Sequence, residues 1–346
     1  MTPDSVPACT SHWDDTALHT SHEVVLPRGI TLRVEAVRRT ELVVAVNQRR
    51  LREREDITGL RLWDFGQQLA ASVVRHAEAF SGRRVLEMGA GCGVLSLAIG
   101  CACIGAHVTA TDASSLTFLR RNVEAHRGIF KADEVKVERL LWVTDEAWQQ
   151  GEAERKWKQD TGKRKRKKDS GSSGGGGDDD DDDKGRPLSA STPDIPECVE
   201  CGTMDVVIGT DLLYHLTACD VLFATAVRLL KAGGVFVLGG HSRYYGTIKS
   251  IRDTASTYAL IVKFIDMRAL RKAEGFEYCA GDFLAIMGAQ ESDVEGFVVD
   301  LNRGGSSSNT GSSFGTIGGS PPSAEGAFQF DDSVNDDFEE EEEDDY

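Results

Sequence analysis

The chain of 346 residues is 40% hydrophobic and 27% charged, which is enough for one sizeable core with polar segments left over. Its formal net charge of −17 disfavours general nucleic-acid affinity, although much of that charge lies in two acidic runs. The sequence holds no run of about 18 apolar residues, and residues 1–15 lack an apolar signal region. We therefore predict no transmembrane span, no secretory signal and no specific nucleic-acid partner.

The eight cysteines favour reduced thiols in an intracellular protein. Several lie in apolar segments, and a chain of this length needs no disulfide staples. Cys198 and Cys201 have the spacing of a zinc or redox pair, but no second cysteine pair or histidine pair accompanies them. Two thiols in a loop is the favoured interpretation, and we predict no metal site.

Residues 1–21 are polar and predict a disordered N-terminus. Two strand-like runs follow, Ile30–Val37 and Leu42–Val46. The first alternates apolar and polar residues, as a half-exposed antiparallel strand does. Together they predict a small β-hairpin ahead of the main fold.

An aromatic pair, Trp63 and Phe65, lies between two glycines just before a segment with helical apolar spacing. This position suits a lid over a ligand. It suits two core anchors equally well, and this stretch alone does not decide between them.

The central motif is an apolar run that ends in Glu87 and continues through Gly89, Gly91 and Gly93 into a helical segment. This pattern is typical of a buried parallel strand, a tight turn and the following helix. Glycines at alternate positions let the backbone adopt positive φ and approach a ligand closely. The motif therefore predicts a site for a nucleotide-like cofactor.

A second strand ends at Asp112, about 20 residues beyond the glycines, where nucleotide-binding folds place an acid on ribose hydroxyls. A helix over 114–126 and a strand over 135–141 follow, and Trp142 comes directly after that strand. Both Asp112 and Trp142 thus stand at strand ends on the predicted ligand edge.

Residues 149–196 contain a basic cluster at 163–168, a Gly/Ser run and six aspartates at 178–183. Such a segment buries no core, so we predict a disordered charged insert. The basic cluster suits a nuclear-import signal or a contact for acidic partners, but a solvated insert is favoured. We also predict that residues 291–346 form a disordered Gly/Ser-rich and acidic tail.

A fourth strand over 205–209 leads through Thr210 into Asp211-Leu-Leu-Tyr214. The sequence then predicts a helix over 217–230, a fifth strand over 235–239, a long helix over 246–273 and a strand–turn–strand over 275–287. Strands that alternate with helices predict an α/β fold with a doubly wound parallel sheet and an antiparallel C-terminal edge.

The glycine turn alone is compatible with NAD or with S-adenosylmethionine. A dinucleotide site needs G-x-G-x-x-G spacing, and this sequence has Val94 or Leu95 where the third glycine would stand. S-adenosylmethionine carries an ammonium and a sulfonium instead of a pyrophosphate. A carboxylate such as Glu87 beside the turn favours those cations.

These motifs resemble the class I (seven-stranded) S-adenosylmethionine-dependent methyltransferases, on Val85–Gly93, Thr111-Asp112, Trp142 and Asp211–Tyr214. Within that class the chain is similar to methyltransferase family 16, protein-lysine methyltransferases with an Asp-x-x-Tyr motif. The resemblance covers roughly residues 22–145 and 200–290. It implies a Rossmann-like doubly wound seven-stranded sheet in a methyltransferase domain over 22–290.

The resemblance also implies roles for individual residues. Asp112 would bind the ribose, the backbone of Gly89, Gly91 and Gly93 would line the methionine end, Trp142 would pack near the adenine, and Trp63 would close over the methionine moiety. Glu87 and Thr210 complete the predicted cofactor-binding set. Asp211 and Tyr214 are the predicted catalytic residues, which would align the acceptor amine. Core packing remains an alternative for both tryptophans, and helix capping for Asp211.

The predicted function is S-adenosylmethionine-dependent N-methylation of a lysine on a protein substrate, by a monomer in the cytoplasm. The basic cluster leaves the nucleus open as a second compartment. Three alternatives remain: another acceptor such as histidine, arginine or a small molecule; a nucleotide-dependent oxidoreductase; and a non-catalytic binding protein that keeps the cofactor fold. Residues 241–245 are predicted to border the substrate groove.

Overall fold

The computed structural model describes residues 19–37, 58–113, 116–151, 201–213, 219–242, 247–274, 281–306 and 330–331. The predicted strand Leu42–Val46, the residues Cys198 and Tyr214, and residues 152–196 of the charged insert lie outside the described residues. Within the described ranges no helix is long and apolar enough to cross a membrane.

The described elements include nine strands and seven helices. The strands are β1 His19–Val25, β2 Thr31–Val37, β3 Arg84–Met88, β4 His107–Asp112, β5 Glu134–Arg139, β6 Met204–Thr210, β7 Leu230–His241, β8 Ile261–Phe264 and β9 Asp282–Gly288. The helices are α1 Asp64–Arg75, α2 Val94–Ala102, α3 Leu116–His126, α4 Cys219–Leu229, α5 Thr247–Thr257, α6 Met267–Glu274 and α7 Glu291–Ser306. A further helical stretch over 145–151 runs to the edge of a described range.

Seven strands form one sheet in the order β5-β4-β3-β6-β7-β9-β8. The pairs from β5 to β7 are parallel, and β9 is antiparallel to both of its neighbours. The chain leaves β3 toward one edge and returns beside it as β6, which makes the β3–β6 junction the topological switch point. Ligands bind in such sheets at the carboxyl ends of the strands next to this point. The predicted fold class is confirmed.

The sheet is buried on both faces because helices cover both sides. Val85 of β3 belongs to the core cluster beneath α1, α2, α3 and α7, and the next residue, Leu86, belongs to the cluster beneath α4 and α5. Val206 and Val207 of β6 divide between the two clusters in the same way. This explains why these strands read as continuous apolar runs without alternation.

The N-terminal hairpin is fastened to the main domain by side chains of α3. The Glu35 amide donates to Asn122 Oδ1 at 2.8 Å, and Asn122 Nδ2 donates to the Glu35 carbonyl at 3.1 Å. The Arg33 amide donates to His126 Nε2 at 3.1 Å. Asn122 Nδ2 also donates to the Cys92 carbonyl at 2.9 Å, which joins the hairpin to the glycine turn.

The hairpin itself is confirmed, but its strand pairing differs from the prediction. β2 pairs antiparallel with β1, from His19↔Val37 to Val25↔Thr31. The predicted N-terminal disorder over 1–21 is therefore wrong at residues 19–21. The cause is that β1 begins with polar residues, whose place in the sheet comes from pairing with β2 and not from hydrophobic periodicity.

The predicted long helix over 246–273 is wrong. It is divided into α5, β8 and α6, and the break comes at Ala259, whose φ is +53°. The β-branched Ile261 and Val262 then begin the outermost strand. The antiparallel C-terminal edge consists of β8 and β9, where β9 covers the second half of the predicted strand–turn–strand, and residues 275–280 of that prediction lie outside the described residues.

The predicted disordered tail is wrong at its beginning, because residues 291–306 form α7. Val294, Phe297, Val298 and Leu301 recur at helical spacing and are buried in the core. Phe297 packs edge-on against Phe80, with ring centroids 5.6 Å apart. The burial of these four apolar side chains stabilises the helix, although the surrounding segment is rich in glycine and serine.

A short piece of the predicted tail also contacts the sheet. Phe330 forms an antiparallel bridge with Ile265, and the Asp331 amide donates to the Phe264 carbonyl at 2.9 Å. Lys263 Nζ lies 4.7 Å from the Phe330 ring centroid. Residues 330–331 therefore cover part of the outer edge of β8, an edge that otherwise presents backbone groups open to further pairing.

Asn122→Ala should destabilise the protein by about 2–3 kcal/mol, because it removes three hydrogen bonds at once and leaves the Glu35 and Cys92 backbone groups without these partners. Urea unfolding at neutral pH measures the change. The neighbouring Arg121→Ala is the control, since Arg121 and Glu35 form only an exposed ion pair at 3.8 Å, whose loss should cost less than about 1 kcal/mol. Equal losses in the two variants would contradict the assigned role of Asn122.

Candidate functional site

A cavity of about 380 Å³ opens at the carboxyl ends of β3, β4 and β6. This is the switch-point edge at which doubly wound sheets bind ligands. Nine of the ten predicted site residues line it: Trp63, Glu87, Gly89, Gly91, Gly93, Asp112, Trp142, Thr210 and Asp211. The tenth, Tyr214, lies outside the described residues. The volume is within the usual range for a small-molecule site.

The glycine turn forms one wall of the cavity with its backbone alone. Gly91 has a φ of +53°, a conformation that side-chain-bearing residues rarely adopt. A Cβ at Gly91 would also lie only 2.8 Å from the carbonyl oxygen of Gly59, which is a fixed backbone atom. Only glycine fits this position, and the resulting concave backbone can face a ligand directly.

Glu87 lies buried beneath the turn and holds the start of α2. Its Oε2 accepts a 2.9 Å hydrogen bond from the Ser96 amide and a second, very short one from the Ser96 hydroxyl. Burial raises the pKa of Glu87 to about 7, and the charge of Asp112 acts in the same direction, against the two bonds from Ser96. Glu87 therefore has a structural role in capping α2 in addition to lining the cavity.

Asp112 lies at the end of β4, with only 8% of its surface exposed. Its Oδ2 accepts the Gly91 amide at 2.9 Å, so the carboxylate is tied to the turn across the cavity edge. A carboxylate held at a strand end beside a glycine turn is the arrangement that binds vicinal hydroxyls in nucleotide folds. The geometry thus suits the predicted ribose contact.

Of the aromatic pair, Phe65 is a core anchor and Trp63 lines the ligand cavity. Phe65 is buried in the core, and its ring fills the space beside Gly239 that a Cβ would need. Trp63 is half-buried and lines the cavity, with the Arg61 guanidinium 4.4 Å from its ring centroid. Arg61 also lines the cavity and was not identified from the sequence, where it shows no pattern that separates it from the charged connector.

Trp142 combines the two roles that the sequence left open. It lines the cavity and lies beside Gly89, where its Cζ2 would be 3.3 Å from an added Cβ. It also packs against the core cluster that contains Leu86 and Met88. Leu212 fills the neighbouring space, and a Cβ at Gly89 would lie 2.6 Å from its Cδ2. Leu212 is therefore part of the cavity wall, although the sequence marks it only as one of two adjacent leucines.

Asp211 is held at the carboxyl end of β6 in an unusual backbone conformation, with a φ of +54°. Its amide donates to the Gly239 carbonyl at 2.9 Å, and its Oδ1 accepts the His241 amide at 3.4 Å. A Cβ on Gly240 would lie 3.2 Å from the Asp211 nitrogen, so a glycine there permits the close approach. Strained non-glycine residues concentrate at functional sites, and their neighbours maintain the strain.

Within the described residues no group of three or more histidine, cysteine, aspartate or glutamate side chains is placed to hold a metal ion. Cys92 lines the cavity, and burial raises the pKa of its thiol to about 12. A thiol in that state is a poor nucleophile and a poor metal ligand. Cys92 therefore contributes to the cavity as a small apolar side chain.

Comparisons with known proteins were made for the whole chain. Residues 47–154 match the model of a family described as lysine methyltransferase. This match covers less than a third of the chain and includes the glycine turn, Asp112 and Trp142. No curated protein matches the chain. The family match confirms the resemblance recognised from the sequence.

Three solved structures are similar to this chain at low sequence identity. TYW2 of Pyrococcus horikoshii, in complex with MeSAdo, is 13% identical over 78% of this chain and 70% of its own, with a TM-score of 0.39. A ribosomal-protein methylase of Lactobacillus delbrueckii is 15% identical over 66% and 79%, with a TM-score of 0.36. A 16S rRNA methyltransferase of T. thermophilus, in complex with AdoMet and guanosine, is 14% identical over 79% and 51%, with a TM-score of 0.40. Such similarities carry no inference about acceptor or chemistry.

Gly91→Ala should lower the unfolding free energy by about 1–3 kcal/mol, because a Cβ there is strained and meets the Gly59 carbonyl. It should also abolish detectable binding of S-adenosylhomocysteine in calorimetry, since the backbone cradle must move. Gly128→Ala is the matched control, because nothing lies within 4 Å of a Cβ at that position. If Gly91→Ala bound S-adenosylhomocysteine with wild-type affinity, the proposal that the glycine turn cradles the cofactor would be wrong.

Glu87→Gln tests the buried carboxyl through pH. The fold keeps Glu87 protonated up to about pH 7, whereas the unfolded chain ionises it near 4.5, so wild type should lose stability as the pH rises between these values. The loss is on the order of 3 kcal/mol, and the Gln variant should not show it. Burial lowers the pKa of His76, which gives the opposite trend, but in both proteins equally. Urea unfolding from pH 4.5 to 8 measures the difference, and parallel curves would exclude the raised pKa.

Proposed function

We propose that this chain is an S-adenosylmethionine-dependent N-methyltransferase that modifies a lysine side chain of a protein. The family match supports methyltransferase chemistry and S-adenosylmethionine as cofactor. The proposal of a lysine acceptor rests on Asp211, which has a strained backbone and lies at the rim of the cofactor-sized cavity. Action as a monomer and location in the cytoplasm stay predictions from the sequence.

The cavity residues fit S-adenosylmethionine group by group. Asp112 offers a carboxylate for the ribose hydroxyls, and the glycine turn offers backbone for close contact with the methionine end. Glu87 lies in the same wall, where a bound ammonium and sulfonium would favour its ionised form. Arg61 is the one basic side chain among the described lining residues, and its guanidinium lies 4.4 Å from the centroid of the Trp63 ring.

When bound, the cofactor supplies an electrophilic methyl group, and the chain must supply a positioned, neutral amine. A free lysine has a pKa of about 10.4 and is protonated at neutral pH, so it has no lone pair for attack. In this proposal Asp211 accepts a hydrogen bond from the incoming amine and directs its nitrogen toward the cavity. Productive attack needs the reacting atoms about 3–3.5 Å apart, which makes positioning the main requirement.

The apolar part of the cavity wall supports the same chemistry. Leu62, Leu141 and Leu212 line the cavity together with the two tryptophans. A charged amine loses solvation in such surroundings, which favours its neutral form. The same residues exclude water from the reacting centre. Asp211 at the rim and an apolar interior are the arrangement that an amine acceptor requires.

The proposal is tested first at the level of the cofactor. Calorimetry with S-adenosylhomocysteine and with NAD should detect binding of the first alone. Binding of NAD without S-adenosylhomocysteine would overturn the proposal in favour of an oxidoreductase. Binding of S-adenosylhomocysteine with no methyl transfer to any acceptor would favour a non-catalytic module.

Asp211→Asn should reduce methyl transfer by about 100-fold or more, while it leaves the affinity for S-adenosylhomocysteine within about threefold of wild type. Asparagine tolerates the left-handed backbone of this position, so the variant isolates the charge. The assay is transfer of radiolabelled methyl groups into a methyl-depleted cell lysate, where wild type should label a discrete protein band. Asp220→Ala, an exposed acid on α4 outside the cavity, is the control.

Mass spectrometry of the labelled band identifies the acceptor residue. Methyl-lysine supports the proposal, and methyl-histidine, methyl-arginine or a labelled small molecule replaces it with another acceptor. Full activity of Asp211→Asn would remove Asp211 from the catalytic role even if lysine is the acceptor.

A further inference from the structure

A buried ion pair lies near the carboxyl end of β7, the end that also contacts Asp211. Arg271 Nη2 donates to Asp282 Oδ2 at 2.9 Å, and only 4% and 6% of the two side chains are exposed. The Arg271 guanidinium also lies 5.3 Å from the centroid of the Phe65 ring. Because the two opposite charges are desolvated together, neither can leave the pair without a large penalty. Asp282 is therefore fixed in position.

The second oxygen of Asp282 faces the imidazole of His241. The two residues are directly opposite each other in the β7–β9 pair, and His241 Nδ1 is 3.3 Å from Asp282 Oδ1. Gly281 borders the same ring, since a Cβ there would lie 3.2 Å from His241 Cε1. A carboxylate at Nδ1 favours the tautomer with its proton on that nitrogen, which leaves the lone pair on Nε2.

His241 differs from the histidines that serve the core. His76 and His126 are buried, and each has its Nδ1 within 2.7 Å of a backbone carbonyl. The His241 side chain is 43% exposed, although the carboxylate that orients it is 6% exposed. Its backbone amide donates to Asp211 Oδ1 at 3.4 Å, which ties residue 241 to the rim of the cavity. A base that is oriented by a buried third group and open on its other side is the arrangement of a proton acceptor.

We propose that His241 accepts the proton that the acceptor lysine must lose before methylation. This role rests on the proposed function. An N–H bond of the lysine ammonium breaks, its electron pair stays on the lysine nitrogen, and the proton bonds to the lone pair of His241 Nε2. Asp282 stabilises the imidazolium that results, and the proton passes to solvent from the exposed ring after each turnover.

The charges around His241 are consistent with this role. Among the described residues on the elements packed against it, the charged groups that face it are Asp211 after β6, Asp282 on β9 and Arg271 on α6. Asp282 contacts Arg271 through Oδ2 and His241 through Oδ1. One carboxylate, Asp282, therefore contacts the ring itself, and a second, Asp211, contacts the backbone amide of the same residue.

His241→Gln tests the proposal, because glutamine keeps a polar contact to Asp282 but cannot take up a proton near neutral pH. The acceptor is the protein band labelled by wild type in the lysate assay. At pH 7 we expect kcat to fall about 100-fold with little change in KM. At pH 9.5, where a lysine with a pKa of about 10.4 loses its proton to solvent more readily, the deficit should shrink to about tenfold or less.

His107→Gln is the matched control. His107 is also about half exposed, at 49%, and also faces a carboxylate, with His107 Nε2 3.8 Å from Asp133 Oδ2. It lies at the amino end of β4, on the opposite edge of the sheet from the cavity. This variant should match wild type at both pH values.

Each outcome bears on a different statement. The role of His241 is overturned if His241→Gln has wild-type activity, shows the same deficit at both pH values, or loses affinity for S-adenosylhomocysteine. In each of these cases a labelled band from wild type still supports the proposed function. Wild type that binds S-adenosylhomocysteine but labels no protein overturns the proposed function, and the role of His241 with it.

Discussion

The close approach of backbone to backbone at Gly91 is the constraint on which the rest of the site depends. Its amide is held by Asp112 from β4, and the space where a Cβ would stand is occupied by the Gly59 carbonyl from the segment before α1. Three parts of the chain therefore meet at one residue without a side chain. The cavity keeps its shape because none of them can move independently. Asn122 extends this junction to the hairpin through the Cys92 carbonyl.

The carboxylates of the site differ in environment, and the difference separates their roles. Glu87 holds the start of α2, and its burial raises its pKa to about 7. Asp112 is tied to the turn at the edge of the cavity. Asp211 lies at the rim in a strained conformation, beside the solvent-accessible His241. One acid thus supports the turn, one suits the ribose, and the third is the one we propose to meet the acceptor.

Much of this arrangement was accessible from the sequence, because it is encoded in local patterns. Apolar runs identified β3, β4 and β6, the strand-end position identified Asp112, and the resemblance to the Asp-x-x-Tyr motif identified Asp211. Errors came where local pattern and final structure diverge. The helix predicted over 246–273 is interrupted by β8, whose four residues become a strand through pairing with β9. α7 was not predicted, because its segment is rich in glycine, serine and acids. It forms because four of its apolar side chains are buried in the core.

The sequence by itself determined the order of strands and helices from β3 to β5 and from β6 to β7, the glycine turn and the acids at the strand ends, since each depends on residues near one another in the chain. Only the tertiary structure decided which distant residues join them. Arg61 stacked on Trp63, Leu212 against Gly89, and the line from Arg271 through Asp282 to His241 all connect separate elements. No spacing rule encodes such contacts, because they arise when packing and pairing bring the strand ends to one edge of the sheet.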